Sequence, residues 1–374
     1  MKDQINTVDG NDIPGKNKHR KKRKKSVGRT ILKCIGRFFI WFFSTLAVLL
    51  AGLYIMLMYI NKGPSPYIRN LFVASVMESS AGGILSQIFL SDEEIQKIME
   101  SNQTISFNEI TDTTLINVVH NNSSDEEITQ ESDSLINDPD GDGIEVYEVH
   151  GNTYQGKMMI VLDPSRVKVA VTDYFSLDGG GTTLQNLITK YDCVAGINGG
   201  RYEDEMGLGI GGMPKGIVIS DGQLLMGELD EVYGVYGFTY DDVLVVGNMT
   251  AQQALNMGVR DAVTFGPALI TNGKSAGYSG YGSGLNPRTA IGQREDGAVL
   301  MLVIEGRQAN SVGASYSDLI EIMLEYGAVN AANLDGGMSS SMILYDEEIV
   351  TNCQVRTARR IPTAFVVERL PEDE

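Results

Sequence analysis

The sequence predicts an α+β domain, with a mixed β-sheet core and flanking helices, preceded by one N-terminal transmembrane helix. Two observations predict this class. Residues 143–374 alternate short β-rich runs, such as 158–162 and 243–246, with glycine turns and a few helical stretches, and about 230 residues of mixed order suffice for one domain with its own core. Residues 38–60 form an apolar run without a charge, which has the length of a membrane span.

The apolar run fits an uncleaved membrane anchor better than a signal peptide. Its 23 residues, at about 1.5 Å each, cross a hydrocarbon core about 30 Å thick, and they exceed the roughly 7–15 residues of a usual signal-peptide core. Basic residues stay on the cytoplasmic side, and residues 1–37 hold twelve basic and three acidic residues. We therefore expect a cytoplasmic tail (1–37), a single-pass anchor in the cell membrane (38–60) and an extracellular C-terminal part.

The charge distribution argues against nucleic acid as a partner. The tail carries a net charge of +9, so the rest of the chain, whose total is −18, carries −27. Beside a membrane span, a basic tail serves topology and contact with anionic lipid. An external part this acidic suits cations or neutral glycans. No residue pattern predicts a cofactor, and binding of a divalent cation stays open.

Residues 61–142 are predicted to be a stalk followed by an acidic polar linker. Ser91 to Glu94 form a capping-box pattern for a short helix, and residues 101–142 are rich in Asn, Ser, Thr, Asp and Glu, which is typical of a linker. Segment 138–144 resembles a calcium loop, but its twelfth position is Val149 instead of the bidentate glutamate. A solvated acidic turn is therefore favoured over a calcium-dependent structural protein.

Histidine and cysteine positions exclude several chemistries. The histidines are His19, His120 and His150, so none lies in the domain beyond its first strand. This excludes a Ser-His-Asp triad, a Cys-His dyad and a His-ligated zinc site from the domain core. Cys193 falls in a predicted buried strand, so a core thiol is favoured over a disulfide with Cys353, although that pairing stays open.

The strongest chemical signal is the stretch Asn333-Leu334-Asp335-Gly336-Gly337. It follows a predicted helix, 317–326, and a short apolar strand, 328–332, so a carboxylate stands at a strand end. The glycine turn after it lets a ligand approach the backbone closely. Residues 182–200 repeat this design and end in Asn198-Gly199-Gly200. If the two strands share one sheet, their polar ends converge on one site; plain surface turns are the alternative.

Two further segments place charged side chains at strand ends. Arg288 stands at the entry to a strand, after the glycine-rich loop 277–284, where a guanidinium can hold a phosphate or carboxylate with two hydrogen bonds. Glu305-Gly306-Arg307 follows another apolar strand. Glu305 and Asp335 would then form the pair of acids that glycoside cleavage needs. Structural ion pairs of Arg288 and of Arg307 are the alternative.

These segments together resemble the phosphodiester glycosidase family, whose bacterial members are often labelled exopolysaccharide biosynthesis proteins. The resemblance covers roughly residues 149–367. The motifs that carry it are Ile197-Asn198-Gly199-Gly200, segment 216–222, Gly266-Pro267-Ala268-Leu269, Arg288-Thr289-Ala290-Ile291-Gly292, Glu305-Gly306-Arg307 and Asn333-Leu334-Asp335-Gly336-Gly337. The chain departs from the family at Glu305, where an aspartate is common, and at Met338, where a third glycine is common.

The resemblance implies a hydrolase that cleaves a sugar from a sugar-1-phosphodiester outside the membrane, on a cell-envelope polymer or its precursor. With the strand-end placement, it suggests that Arg288 binds the phosphate and that Asp335 and Glu305 form the acid/base or nucleophile pair. The predicted substrate-binding residues are Asn198, Gly199, Gly200, Arg307, Asn333, Gly336, Gly337, Ser339 and Ser340. A non-catalytic envelope glycan-binding module is the alternative. Such modules usually expose aromatic side chains, whereas the only tryptophan, Trp41, lies in the membrane span.

Overall fold

The computed structural model describes residues 27–79, 83–105, 109–118, 141–204, 210–350 and 358–370. The chain divides into two units, Met1–Leu57 and Met58–Glu374. Helix α1 (Val27–Lys62) contains the predicted span, and its stretch Ile31–Lys62 is long and apolar enough to cross a membrane. Most of the basic cluster, the start of the acidic turn at 138–144 and Cys353 lie outside the described residues.

The second unit combines helices with many short strands, so the predicted α+β class is confirmed. Its helices are α2 (Pro66–Met77), α3 (Ile84–Gln87), α4 (Asp92–Glu100), α5 (Leu184–Lys190), α6 (Ala251–Asn256) and α7 (Tyr316–Glu325). Its strands are β1 (Thr104–Ile105), β2 (Ile144–His150), β3 (Gln155–Val161), β4 (Val167–Val171), β5 (Cys193–Asn198), β6 (Val218–Ser220), β7 (Gln223–Met226), β8 (Val232–Thr239), β9 (Leu244–Thr250), β10 (Val259–Val263), β11 (Ala268–Thr271), β12 (Lys274–Ser275), β13 (Gly277–Tyr278), β14 (Arg288–Arg294), β15 (Val299–Ile304), β16 (Ala328–Leu334), β17 (Met342–Leu344), β18 (Glu347–Glu348) and β19 (Thr363–Glu368).

Three sheets hold most of these strands. One has seven strands in the order β12-β11-β16-β14-β15-β3-β2, a second has the order β7-β6-β10-β8-β9, and a third has the order β18-β17-β5-β19-β4. Paired strands in the described residues run antiparallel. Strands that follow each other in the chain can pair in this way through a short hairpin turn.

The three sheets enclose one apolar core, because alternate residues of each strand point inward. Met159, Met301, Ile197, Phe365 and Phe238 from the three sheets are fully buried there. One helix packs on the outer face of each sheet: α7 on the seven-stranded sheet, α6 on the β8 sheet and α5 on the β5 sheet. The sheets therefore hold their strand ends around the rim of a common core.

Helix α7 and strand β16 form close to where the sequence predicts them. Ser315 starts the helix with a capping box: its hydroxyl accepts the N–H of Asp318 at 3.3 Å, and the Asp318 carboxylate accepts the N–H of Ser315 at 2.8 Å. Strand β16 continues two residues beyond the predicted end, through Leu334. It does so because β14 and β11 pair with it on both sides.

The described residues of the predicted stalk and of the first part of the predicted linker contact the domain at several points. Helices α2, α3 and α4 pack around a small apolar cluster formed by Val73, Leu90, Ile95 and Ile98. Strand β1 pairs with β13, and the Thr111 hydroxyl bonds both the N–H and the carbonyl of Val246, at 2.8 and 3.0 Å. The described residues of this region are thus folded onto the domain. The limits of stalk, linker and domain remain a prediction.

Candidate active site

One edge of the seven-stranded sheet brings three chain segments together. Strand β14 begins at Arg288, while its neighbours β15 and β16 end at Ile304 and Leu334. Both neighbours run antiparallel to β14, so Arg288 pairs with Ile304 and the next residue pairs with Leu334. The turns that start at Glu305 and Asp335 therefore flank Arg288.

Glu305 and Asp335 share this edge but fall on opposite faces of the sheet. Directly paired residues share a face, and successive residues alternate. Ile304 shares the face of Arg288, so Glu305 falls on the other face, where its carboxylate accepts a hydrogen bond from Nε2 of Gln155 at 2.8 Å. By the same count Asp335 shares the face of Arg288. Asp335 lines a pocket there, which Glu305 does not.

Asn198 ties the turn at Asp335 to the neighbouring sheet. Its Nδ2 donates to the carbonyl of Asp335 at 2.6 Å, while its Oδ1 accepts the Thr289 hydroxyl at 2.8 Å and the Ser341 N–H at 3.1 Å. The Asp335 N–H in turn donates to the carbonyl of Gly199 at 3.2 Å. The two glycine turns of the sequence thus meet, although their strands β5 and β16 belong to different sheets.

Gly199 and Gly200 lie too close to other strands to carry a side chain. A Cβ on Gly199 would stand 2.6 Å from Oγ1 of Thr363, and a Cβ on Gly200 would stand 2.7 Å from Cβ of Val263. Strands β19 and β10 approach the turn only because both positions lack a side chain. These glycines therefore set the packing behind the turn at Asp335.

Burial raises the pKa of the Asp335 carboxyl to about 7, because loss of water disfavours its charged form. Hydrogen bonds from the Ser339 hydroxyl and the Gly336 N–H lower this pKa, the nearby charge of Asp204 raises it, and Arg359 lowers it. The residue is half-buried because it opens onto the pocket. A carboxyl with this pKa gives and takes a proton near neutral pH.

A polar cluster borders Asp335. The Tyr202 hydroxyl lies 2.9 Å from Oγ of Ser339 and accepts a hydrogen bond from Nε of Arg359 at 2.7 Å. Arg359 also forms an ion pair with Asp204, and its guanidinium lies 5.6 Å from the centre of the Tyr202 ring. Burial raises the pKa of Tyr202 to about 12. Its phenol therefore stays protonated and can donate to Ser339 or to a substrate hydroxyl.

Arg288 is buried, and its guanidinium is held on several sides. Its Nη2 donates to the Ser283 hydroxyl at 2.9 Å and to the carbonyl of Gly284 at 2.7 Å. The same nitrogen forms an ion pair with Oε2 of Glu78 at 2.7 Å, and the guanidinium lies 4.2 Å from the centre of the Tyr316 ring. An anionic substrate group would therefore share Arg288 with Glu78.

Arg307 faces the same pocket and forms no ion pair within the described part of the chain. Its backbone is left-handed, with φ of 57°, and its Nη2 donates to Oδ1 of Asn286 at 3.1 Å. Its Nη2 and Nη1 lie 3.4 and 3.6 Å from where a Cβ on Gly337 would stand. A cation therefore borders the turn after Asp335, in a position that suits a phosphate.

These groups line one pocket with a volume of about 240 Å³. Its charged side chains are Arg288, Arg307, Arg359, Glu78, Asp204 and Asp335. Its aromatic and apolar wall is formed by Tyr202, Tyr316, Phe265 and Met338. Cations beside an acid of raised pKa can bind an anionic group next to a proton donor.

The structure gathers half of the predicted site residues at the pocket. Those that line it are Arg288, Arg307, Asp335, Gly336, Gly337 and Ser339. Those that do not are Asn198, Gly199, Gly200, Glu305, Asn333 and Ser340. Asn333, for example, is buried and donates to the carbonyl of Gly266 at 2.9 Å. The chemical roles of all twelve remain predictions.

Sequence reasoning missed several residues of the pocket. Tyr202 and Asp204 directly follow the turn at Gly199-Gly200, so their position was a usable signal. Arg359 and Tyr316 were not singled out by any motif. Glu78 lies 210 residues before Arg288 in the chain, and no local pattern links such distant positions.

No group of three or more His, Cys, Asp or Glu side chains in the described residues is arranged to hold a metal ion. Cys193 is a free, buried thiol, which confirms the prediction of a core cysteine. Burial raises its pKa to about 12. A thiol that stays protonated is a poor nucleophile, so Cys193 has a packing role.

Comparison with known proteins supports one family. The model of the family described as phosphodiester glycosidase matches residues 191–368, a range that contains Asp335 and the three arginines of the pocket. The SPbeta prophage-derived uncharacterized protein YomE of Bacillus subtilis is 28% identical over 219 residues, which cover 54% of this chain and 32% of that protein. The N-acetylglucosamine-1-phosphodiester alpha-N-acetylglucosaminidase of Bos taurus is 23% identical over 209 residues, which cover 50% and 38%.

The chain spans about a third to two fifths of the length of these curated relatives. Among solved structures, the catalytic domain of the zebrafish N-acetylglucosamine-1-phosphodiester alpha-N-acetylglucosaminidase matches with a TM-score of 0.49 and 19% identity, over 61% of this chain and 82% of that chain. By the family-model match and the sequence relatives, residues 191–368 of this chain are similar to the phosphodiester glycosidase family.

Proposed function

We propose that this protein is a membrane-anchored hydrolase that cleaves a sugar from a sugar-1-phosphodiester in a cell-envelope or exopolysaccharide glycan. The observation that carries the proposal is Asp335, a carboxyl with a pKa of about 7, in a pocket with three arginines. An acid poised near neutral pH can protonate a leaving phosphate oxygen, and arginine holds phosphate well. The names of the mammalian relatives support the substrate class.

In the proposed reaction the phosphate lies against Arg307, and Asp335 protonates the oxygen that leaves C1 of the sugar. Arg307 suits the phosphate because it forms no ion pair in the described residues, whereas Arg288 already holds Glu78. A phosphate role for Arg288, as the sequence suggested, requires that Glu78 and the phosphate share its guanidinium. Tyr202 and Ser339 supply hydroxyls that can bind the sugar.

Helix α1 and the basic tail support anchoring with the N-terminus in the cytoplasm. The tail carries the positive charge that stays inside, so the catalytic unit would lie outside, where it meets envelope glycans. Protease added to intact cells should then remove the domain and leave the tail and α1. A domain that resists protease until the cells are broken would overturn this orientation.

The activity can be tested with the full-length protein in detergent. Its substrate would be an alkyl ester of N-acetylglucosamine 1-phosphate, and the control would be N-acetylglucosamine 1-phosphate itself, which lacks the diester. Release of free sugar and of an alkyl phosphate from the ester supports the proposal. Binding of the ester without release of sugar would identify a glycan-binding module instead.

A further inference from the structure

We propose that Glu78 is the second acid of the reaction, the base that activates water. This inference rests on the proposed function and extends it, because Glu78 follows helix α2 and lies outside residues 191–368, which the family model matches. Hydrolysis of a glycosidic bond needs two carboxyl groups, one that protonates the leaving oxygen and one that activates water or attacks C1. The pocket offers three candidates, Glu78, Asp204 and Asp335.

Bonding partners separate the three candidates. Asp335 has the raised pKa that suits the proton donor. Asp204 forms an ion pair with Arg359 and lies near enough to raise the pKa of Asp335, so it shares that side of the pocket. The base is a different carboxyl group from the donor. Glu78 lines the same pocket and is held by Arg288 beside Asp335, apart from the ion pair of Asp204 with Arg359, so we assign the base to Glu78.

The carboxylate of Glu78 is held in one orientation by three donors. Its Oε2 accepts from Nη2 of Arg288 at 2.7 Å and from Nδ2 of Asn286 at 3.1 Å, and its Oε1 accepts from the N–H of Gly284 at 3.0 Å. These three contacts occupy both acceptor sites of Oε2 and one of the two on Oε1, and leave one acceptor site on Oε1. The side chain is 22% exposed and lines the pocket. An oriented and accessible carboxyl group with an open acceptor site meets the geometric requirement of a general base.

The loop before Arg288 is shaped to receive helix α2. A Cβ on Gly284 would stand 2.2 Å from the backbone nitrogen of Ser75, so α2 packs there only because position 284 is glycine. The Ser75 hydroxyl accepts the N–H of Leu285 at 2.8 Å, and Nδ2 of Asn286 donates to the carbonyl of Ser75 at 3.4 Å. Helix α2 is therefore a fixed wall of the pocket, and it carries Glu78 at its C-terminal end.

Glu78 and Asp335 each move one proton in the proposed step. Glu78 takes a proton from water while the water oxygen forms a bond to C1 of the sugar. The bond between C1 and the phosphate oxygen breaks, its electron pair goes to that oxygen, and the oxygen takes the proton of Asp335. The products are the free sugar and a phosphomonoester. Glu78 then releases its proton to solvent, and Asp335 regains one.

The experiment compares the full-length protein with its Glu78→Gln, Glu78→Ala and Ser75→Ala variants in detergent, on the alkyl ester of N-acetylglucosamine 1-phosphate. We expect kcat to fall at least about 100-fold in both Glu78 variants, because a general base contributes about 10²–10⁴-fold. Ser75→Ala disturbs the same contact between helix and loop but keeps the carboxylate, so we expect its kcat to stay within about threefold.

Chemical rescue separates a base from a structural residue. Sodium azide can attack C1 without a base, so it should raise the rate of Glu78→Ala at least about tenfold and yield a sugar azide, while leaving Ser75→Ala unchanged. If both Glu78 variants keep kcat within threefold, or if neither azide nor formate raises the rate of Glu78→Ala, Glu78 is not the base. The proposed function would stand in that case. A wild-type protein that releases no sugar would overturn the proposed function and this role with it.

Discussion

Strands β15 and β16 end at the same edge of one sheet, and each is followed by an acid and a glycine. After β16 the acid, Asp335, lines the pocket. After β15 the acid, Glu305, bonds Gln155 instead, and it is Arg307 that lines the pocket. The left-handed backbone of Arg307 turns the chain back toward Asp335. Two similar turns thus supply opposite charges, because the phase of the strands directs Asp335 toward the pocket and Glu305 away from it, and the left-handed backbone of Arg307 brings a cation back to the pocket.

Removing the charge of the acid at each strand end should separate the two turns by the largest effect. Asp335→Asn should lower kcat about 10²–10⁴-fold, because the leaving oxygen loses its proton donor. Glu305→Gln should keep kcat within about threefold, because its carboxylate contacts Gln155 outside the pocket lining. Initial rates of sugar release from a sugar-1-phosphodiester measure both.

Equal losses in the two variants would contradict the comparison and support the acid pair that strand-end placement suggested. Melting temperatures of both variants are the control, because a misfolded Glu305→Gln protein would also lose activity. The substitutions keep size and shape, so a large drop in melting temperature is not expected from either.

Local sequence spacing was enough to predict where the strands end, but not which of the side chains there face the pocket. The apolar runs before Asn198 and Asp335 are short and flanked by glycine turns, so their strands and the carboxylate at the edge were predictable. The face of Glu305 depends on its register with Arg288, which only the paired sheet defines. Glu78 reaches the site through tertiary packing of α2, and single-sequence periodicity carries no information on such contacts.

The raised pKa of Asp335 predicts a stability difference that depends on pH. Its pKa in the unfolded chain is about 3.9, and burial raises it to about 7 in the folded protein. Ionisation therefore favours the unfolded chain, and wild-type stability should fall as pH rises from about 4 to about 7. Asp335→Asn lacks this loss, so at pH 8 it should be more stable than wild type by up to about 4 kcal/mol.

Urea unfolding at pH 4, 6 and 8 measures this difference, with Glu305→Gln as the matched strand-end control. We expect the free energy of unfolding of Asp335→Asn, relative to wild type, to increase with pH. The difference between Glu305→Gln and wild type should not show this increase. A gain that is constant from pH 4 to pH 8 would mean that Asp335 keeps an ordinary pKa, and it would remove the main support for its role as proton donor.

Substitution of Arg307 should affect substrate binding, whereas substitution of Arg288 should affect stability. Arg307→Gln should raise KM about 10–100-fold, because the pocket loses a cation that forms no ion pair within the described residues and can bind the phosphate. Arg288→Gln should instead lower the free energy of unfolding by about 3–5 kcal/mol, because it leaves Glu78 beside buried groups without its ion-pair partner. Steady-state kinetics and urea unfolding of both variants test this. If KM rises more in Arg288→Gln than in Arg307→Gln, Arg288 is the residue that binds the phosphate.

The smallest expected effect concerns Gln155, the partner of Glu305. Gln155→Ala removes one hydrogen bond at a strand start and should cost about 1 kcal/mol of stability. The decisive readout is the pH profile of kcat, because a change beside a catalytic carboxyl moves the pKa that the profile reports. We expect the same profile as wild type, since Glu305 lies outside the pocket lining. A shifted limb would show that Glu305 takes part in proton transfer, and the phase argument that separates the two strand ends would then fail.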